Sequence, residues 1–228
     1  MMLSKETVER FMKVDPAAIG HCISSGFMNP KIKPVYKSAK VVGPAYTVRM
    51  PDRDSSALYY AMQKAPKGSV LVIDRVHDDL FACTGEFVVT MAKCLGLAGI
   101  VVDGPATDSL ALEKLNFPVF CTGYSPVTAI MLGTSGEVDV PIQCGGAVVN
   151  PGDIVFGDAD GVIVFSGDYE QLLADAEVKA QNEINMRKRL ADGYMYTKRE
   201  DFDVEKFFNV DMMAVINDVK KQCKYDDK

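Results

Sequence analysis

The sequence contains no tryptophan and only two histidines, and its six cysteines form no Cys-x-x-Cys pair. This composition excludes the common zinc sites that are built from closely spaced cysteines and histidines. No apolar run reaches the length of about 20 residues that a membrane-spanning helix needs, and the N-terminus lacks the apolar segment of a signal peptide. We therefore expect a cytoplasmic protein with reduced thiols and without a membrane as partner.

Basic residues are also scarce, since 25 lysines and arginines stand against 31 acidic residues, for a formal net charge of −6. A protein that binds nucleic acid mainly through the phosphate backbone needs a basic face. We therefore expect no nucleic acid as partner. A protein partner or a small anion in a local pocket stays compatible with this charge.

The chain does contain enough apolar material for one core, because 48% of its 228 residues are hydrophobic. We expect a single domain over residues 1–190, with its core in 40–166. Residues 191–228 are expected to form a C-terminal helical extension, because apolar residues from Phe207 to Val219 recur there at helical spacing.

The first half of the chain alternates short apolar runs with helix-like segments, a pattern that predicts parallel strands joined by helices. Gly43-Pro44, inside the first apolar run, suggests a bulge or a sheet edge. A helix pair is expected over residues 4–26, broken near Asp15-Pro16. Strands are expected over 39–49, 70–73, 99–102 and 119–121, and helices over 54–64, 85–95 and 108–115.

The second half has a different character, because glycine-containing turns separate short β-type runs. The turns are Gly145-Gly146, Pro151–Asp153 and Asp158–Gly161, and such sequences are typical of tight turns and hairpins. A helix is expected from Asp168 to about Leu190. The two halves together predict an α/β fold with a mixed rather than a purely parallel sheet.

The segment Gly99–Asp108 is the first candidate for a functional site. A buried apolar run that ends in Asp-Gly and passes into a helix is a strand, a turn and a helix N-terminus. Loop amides and the helix dipole favour anions at such a junction, and an acidic side chain can hold a cation there. Asp108 is therefore a candidate metal ligand, although it could instead stabilise the first turn of its own helix.

Eight short motifs follow one another along the chain: Gly43–Val48, Gly68–Asp74, Gly85-Glu86, Gly99–Asp108, Phe117–Phe120, Gly145-Gly146, Pro151–Asp153 and Asp158–Val162. In this order they resemble the regulator-of-ribonuclease-activity A-like family, which includes divalent-metal 4-hydroxy-4-methyl-2-oxoglutarate aldolases. The resemblance implies a swivelling β/β/α domain, with a mixed sheet or barrel flanked by helices and extra N- and C-terminal helices. It also implies a homotrimer or homohexamer with sites near subunit boundaries.

In the aldolases of this family, a metal lies on an aspartate that follows an arginine, and the arginine grips the 2-oxo acid. The resemblance places the metal on Asp108, whereas the arginine position holds Thr107. A short turn supplies backbone amides for the substrate carboxylate, and its acidic side chain, here Glu86, helps to hold metal-bound water. The implied catalytic residues are Glu86 and Asp108, and the implied cofactor is Mg²⁺ or Mn²⁺. The implied substrate-binding residues are Gly85, Glu86, Phe87, Val88 and Thr107.

The resemblance thus implies a metal-dependent lyase of a small 2-oxo acid. The reaction would be aldol cleavage of a 4-hydroxy-2-oxo acid or decarboxylation of an oxaloacetate-type substrate, through a metal-bound pyruvate enolate. An arginine at such a site contributes roughly 3 kcal/mol to stabilising the enolate oxygen, and Thr107 lacks that charge. Arg75 is one residue that could replace the missing guanidinium.

Two other functions stay open from the sequence: a protein-binding regulator without chemistry, and a related enzyme in which Thr107 contacts a different substrate. Structural roles stay open for single residues too. Glu86 could be a first-turn acid that stabilises its helix, and Thr107 could be a helix cap.

Overall fold

The computed structural model describes residues 2–191, and the apolar residues from Phe207 to Val219, on which the predicted C-terminal helix rests, lie outside these residues. The helices are α1 Lys5–Phe11, α2 Pro16–Gly20, α3 Ser56–Lys64, α4 Glu86–Cys94, α5 Ser109–Leu115 and α6 Tyr169–Ala191. The strands are β1 Lys33–Pro34, β2 Val41–Arg49, β3 Val70–Asp74, β4 Gly99–Asp103, β5 Pro105–Ala106, β6 Val119–Cys121, β7 Gly123–Tyr124, β8 Glu137–Val138, β9 Ile142–Cys144, β10 Ala147–Val149, β11 Ile154–Asp158 and β12 Gly161–Phe165.

Eight strands form one mixed sheet in the order β1-β6-β4-β3-β2-β11-β12, with β8 paired to β2. The neighbours β2, β3, β4 and β6 are parallel, whereas β1, β8, β11 and β12 run antiparallel to their partners. The first half of the chain, where strands and helices were predicted to alternate, therefore forms the parallel part of the sheet. The second half, where hairpins were predicted, contributes antiparallel strands.

Strand β2 lies inside the sheet, so the expectation that Gly43-Pro44 marks an edge is wrong. Residues 41–44 pair antiparallel with β11, and residues 45–49 pair parallel with β3. Proline has no amide hydrogen to donate to a ladder. Pro44 is tolerated because it is the last residue of β2 that pairs with β11, and the pairing with β3 begins at the next residue, Ala45.

Three clusters of buried apolar side chains fill the space around the sheet. The first joins β3 and β4 to helices α3, α4 and α5. The second lies between the sheet and the β9–β10 hairpin, and the third joins β11 and β12 to α1, α2 and the start of α6. Helices α4 and α5 thus share one core, which fixes the places where both helices begin.

Backbone contacts divide the chain into two compact units, Met1–Ala180 and Gln181–Lys228. The described part of the second unit is the helical end of α6, over residues 181–191. The domain boundary near residue 190 and the extension over 191–228 stay predictions. Within residues 2–191, no helix is long and apolar enough to cross a membrane.

Candidate active site

The turn between β5 and α5 places Asp108 in a left-handed conformation, with φ 56° and ψ 40°. Asp108 occupies the residue position just before α5, yet its side chain accepts no hydrogen bond from that helix. Asp108 therefore does not cap its own helix through a side-chain hydrogen bond, and a stabilising effect of its charge on that helix stays a prediction. The interpretation that Thr107 is the cap is wrong, because Thr107 lies one residue before the cap position.

The carboxylate of Asp108 instead lies at the start of the neighbouring helix α4. Its Oδ2 atom accepts a hydrogen bond of 2.9 Å from the backbone N–H of Glu86, the first residue of that helix. Free N–H groups and the positive end of the helix dipole favour a carboxylate in this place. The Oδ1 atom accepts no hydrogen bond within residues 2–191, so it is available to a ligand.

Gly85 makes this close approach possible. A Cβ atom at this position would lie 2.5 Å from Asp108 Oδ2 and 2.7 Å from Thr107 Cγ2. The segment before α4 and the segment before α5 are also joined by a backbone hydrogen bond, because Thr107 N–H donates to the Thr84 carbonyl at 2.9 Å. The structure therefore brings together four of the predicted site residues, Gly85, Glu86, Thr107 and Asp108.

The remaining predicted residues, Phe87 and Val88, form the rest of the first turn of α4. The Phe87 side chain is 70% exposed, whereas the Val88 side chain is buried in the core. Val88 can therefore contact a ligand only through its backbone. The amides of the first helical turn have no acceptor within the helix, and Asp108 occupies the amide of Glu86. The amides of Phe87 and Val88 are left for an anion.

The chemistry of these side chains fits a cation that keeps most of its water. Within the described residues, no group of three or more His, Cys, Asp or Glu side chains could hold a metal ion. Water and substrate would therefore supply most of the ligands of a cation at Asp108. Mg²⁺ accepts such a set, because it sheds water reluctantly and prefers oxygen ligands.

Arg75 does not lie at this surface, because its side chain is fully buried. Its Nη2 atom pairs with Asp78, while Nε and Nη1 have no hydrogen-bond partner within the described chain. Burial opposes the charge of Asp78, yet the amides of Leu80 and Phe81 and the charge of Arg75 lower the pKa of that carboxyl below its usual value. Nothing in the sequence signalled that this arginine points inward.

A separate cavity of about 450 Å³ lies at the carboxyl ends of β3 and β4. The Asp103 carboxylate accepts a hydrogen bond of 2.7 Å from the Gly145 amide there, which ties β4 to the β9–β10 hairpin. No predicted site residue lines the cavity. Its lining comprises Asn29, Lys31, Asp74, Val76, His77, Asp79, Asp103, Thr122, Gln143, Gly145 and Gly146.

Comparison with known proteins places this chain in a family. The sequence matches the family described as RraA-like (Aldolase/RraA) over residues 18–164. It is 41% identical over 180 residues to a Halalkalibacterium halodurans protein whose name proposes a 4-hydroxy-4-methyl-2-oxoglutarate aldolase. That alignment covers 76% of this chain and 85% of the relative.

Two further matches support the assignment. The chain is 31% identical over 183 residues to protein DlpA of Legionella pneumophila, a match that covers 76% of this chain but 29% of DlpA. The crystal structure of Streptomyces coelicolor RraAS2, described as an unusual member of the RNase ES inhibitor RraA protein family, superposes with a TM-score of 0.70. It is 29% identical and covers 82% of this chain and 98% of RraAS2.

The fold is thus that of an RraA protein, with a mixed sheet and flanking helices, as predicted. The chain belongs to the RraA-like (Aldolase/RraA) family.

Proposed function

We propose that this protein is a divalent-metal-dependent lyase of a small 2-oxo acid. The observation that carries the proposal is the contact between Asp108 Oδ2 and the Glu86 amide at 2.9 Å. This contact orients a carboxylate with one free oxygen beside the remaining free amides of α4. A cation ligand and an anion-binding turn thus lie side by side, which is the arrangement that a 2-oxo carboxylate needs.

Each residue has a defined task in the proposed reaction. The amides of Phe87 and Val88 would bind the substrate carboxylate without a lysine. Asp108 would hold a Mg²⁺ or Mn²⁺ ion, which acts as a Lewis acid for the negative charge that develops on the 2-oxo oxygen. Glu86, exposed at the helix start, would hold a water molecule that takes the proton of the 4-hydroxyl group as the C3–C4 bond breaks and returns a proton to C3 of the pyruvate product. In decarboxylation, where CO₂ leaves, the same water would supply the proton for C3.

The proposal is tested by pyruvate release from oxaloacetate and from 4-hydroxy-4-methyl-2-oxoglutarate, with and without Mg²⁺ or Mn²⁺. We expect metal-stimulated release that Asp108→Ala reduces by at least about 100-fold, as for the loss of a group that stabilises the transition state. Asp175→Ala is the matched control, because Asp175 is an exposed aspartate on α6 and lies outside the site. No release with either metal, or equal loss in both variants, would contradict the proposal.

Thr107 favours a second candidate, a regulator that binds a protein and performs no chemistry. A threonine supplies no positive charge for the developing enolate, and RraAS2, which shares the fold, is described within a family of RNase inhibitors. A pull-down that recovers a ribonuclease, together with absent turnover, would favour this candidate over the lyase.

A third candidate is an enzyme of the same class with another substrate, in which the Thr107 hydroxyl contacts that substrate. Thr107→Arg separates it from the first. Increased release of pyruvate from the two test substrates indicates a pocket that is specialised by Thr107. An unchanged rate indicates that the pocket differs elsewhere.

The proposal includes a cytoplasmic location and a homotrimer or homohexamer. The five described cysteines are free, which suits a reducing compartment. Phe87 and Leu110 are exposed apolar side chains beside the site, and such side chains suit burial against a second copy of the chain.

A further inference from the structure

Arg75 combines complete burial with incomplete hydrogen bonding. Its side chain has no exposed surface, and two of its three nitrogens have no partner within residues 2–191. A buried guanidinium needs a counter-charge and hydrogen bonds to offset its desolvation. Asp78 supplies the counter-charge and a hydrogen bond to Nη2, but nothing for Nε and Nη1. The contacts of this side chain indicate which structural role offsets the cost of burying its charge.

The stem of Arg75 packs against Gly104. A Cβ atom at Gly104 would lie 2.6 Å from Arg75 Cγ and 3.2 Å from the Asp78 carbonyl oxygen. Gly104 begins the turn that runs through β5 to Asp108, and its carbonyl accepts the Thr122 amide at 3.0 Å. Arg75 therefore contacts the start of the segment that carries the proposed metal carboxylate.

The other end of Arg75 holds the segment that carries Glu86. Its partner Asp78 accepts the Leu80 amide at 2.8 Å and the Phe81 amide at 3.1 Å through Oδ1. From Phe81 the chain runs through Thr84, which forms a β-bridge with Ala106, and reaches Gly85 and α4. One buried side chain thus contacts both segments whose ends meet at Asp108 and Glu86.

We propose that Arg75 is a positioning residue for the site. The aliphatic stem of Arg75 packs against Gly104, and its Nη2 atom pairs with Asp78. These two contacts fix the distance between the segment that ends at Asp108 and the segment that ends at Glu86. At that distance, Asp108 Oδ2 accepts the hydrogen bond from the Glu86 amide. The inference rests on the proposed function in one respect, since that contact is the proposed metal and anion site. The geometry itself is measurable without metal or substrate.

Hydrogen exchange of single amides, followed by NMR on the full-length, metal-free protein, tests the inference. The reporters are the Glu86 amide, bonded to Asp108, and the Thr107 amide, bonded to Thr84. In Arg75→Met we expect both to lose protection by about tenfold, the effect of losing one hydrogen bond. Arg75→Lys should recover part of the protection, because a lysine can still pair with Asp78.

Two further variants keep the test decisive. Gly104→Ala retains the charge of Arg75 but displaces its stem, so it should reduce protection at the same two amides even where Arg75→Met fails to fold. Arg10→Met is the matched control, because it removes two ion pairs between α1 and α6 and should leave both reporters unchanged. Unchanged protection in Arg75→Met and Gly104→Ala would overturn the inference. An equal loss across β11 and β12 would also overturn it, because it indicates general destabilisation.

The readouts separate the two proposals. Loss of protection without any pyruvate release would retain Arg75 as the positioning residue and reject the lyase. Pyruvate release with unchanged protection in the Arg75 and Gly104 variants would do the reverse.

Discussion

Gly85 is the single residue on which the geometry of the site depends most directly. Its backbone is extended, with φ −136°, so an alanine would fit its conformation but not the space beside it. The obstacle is the carboxylate of Asp108, which belongs to the site itself. Substitution therefore tests the contact without removing any functional group.

We predict that Gly85→Ala displaces Asp108 and lowers pyruvate release by about 10- to 100-fold, since a misplacement of about 1 Å costs that much. Steady-state assays with Mg²⁺ measure the effect. Gly20→Ala is the control, because a Cβ there meets only Phe27 at an ordinary 3.5 Å and should leave the rate unchanged. Full activity in Gly85→Ala would reject the proposed role of the Asp108–Glu86 contact.

Asp54 is a buried carboxylate that holds the loop over residues 132–135. It accepts hydrogen bonds from Ser56, Leu132, Thr134 and Ser135, at 2.6 to 3.1 Å. The Ser56 hydroxyl first, and the amides of Leu132 and Thr134 after it, hold the pKa of Asp54 well below its usual range despite burial. The sequence predicted a helix from residue 54, but not the contact with the loop, because the loop lies about 80 residues further on.

The depressed pKa of Asp54 sets the sign of a pH dependence. An unfolded aspartate titrates near pH ~3.9, so the stabilisation by Asp54 is complete above that pH and is lost as the pH falls below it. We predict that Asp54→Asn destabilises the protein at pH 7 and flattens the decline of stability as the pH falls below about 4. Urea unfolding at several pH values measures this. Asp175→Asn, at an exposed helical position, should retain the wild-type decline.

Helix α1 illustrates how an element is held by a few contacts at a distance in sequence. Its buried Phe11 meets Phe156 edge-on, with ring centroids 5.3 Å apart, and Arg10 pairs with Glu170 and Glu177 of α6. The amphipathic pattern and the serine cap of such a helix are readable locally. Its partners on β11 and α6 are not.

We predict that Phe11→Ala lowers the free energy of unfolding by about 3–5 kcal/mol, the usual cost of truncating a buried phenylalanine. Its cluster of buried side chains is separate from the one beneath α4 and α5, so the rate of pyruvate release in the folded variant should not change. Denaturant unfolding and the activity assay measure the two quantities. Met12→Ala, at the exposed neighbouring residue, should shift stability by less than about 0.5 kcal/mol.

The elements were more predictable than the site. Every strand of the parallel half is a short apolar run between turn residues, so local pattern predicts β3, β4 and β6 within a residue or two. The contact between Asp108 and Glu86 depends on two helix starts 22 residues apart. Only the family resemblance related them in advance, and the inward turn of Arg75 had no signal at all.

At the scale of the whole molecule, three large apolar side chains border the site and remain exposed. Phe87 follows Glu86 and is 70% exposed, and Leu110, near the start of α5, is 74% exposed. Tyr124 is 51% exposed and is the register partner of Ala106. Such a group of apolar residues is typical of a protein interface.

We predict that Phe87 and Leu110 are buried against a second copy of the chain, so that Phe87→Glu and Leu110→Glu convert the oligomer to monomers. Light scattering after size-exclusion chromatography measures the mass. Val148→Glu is the control, because Val148 is equally exposed on the β9–β10 hairpin and should leave the mass unchanged. A wild-type protein that is monomeric at tens of micromolar would contradict the prediction.

The change of partner along β2 also bears on how the chain reaches its native state during synthesis. Residues 41–44 of this strand meet residues 154–157, about 110 residues later in the chain. As the polypeptide leaves the ribosome, β2 can pair with β3 early. The backbone groups of residues 41–44 that pair with β11 stay without a partner until β11 has been synthesised. We expect this interval to be the stage at which the nascent chain depends most on chaperones, and truncation before residue 154 to leave a protein prone to aggregation.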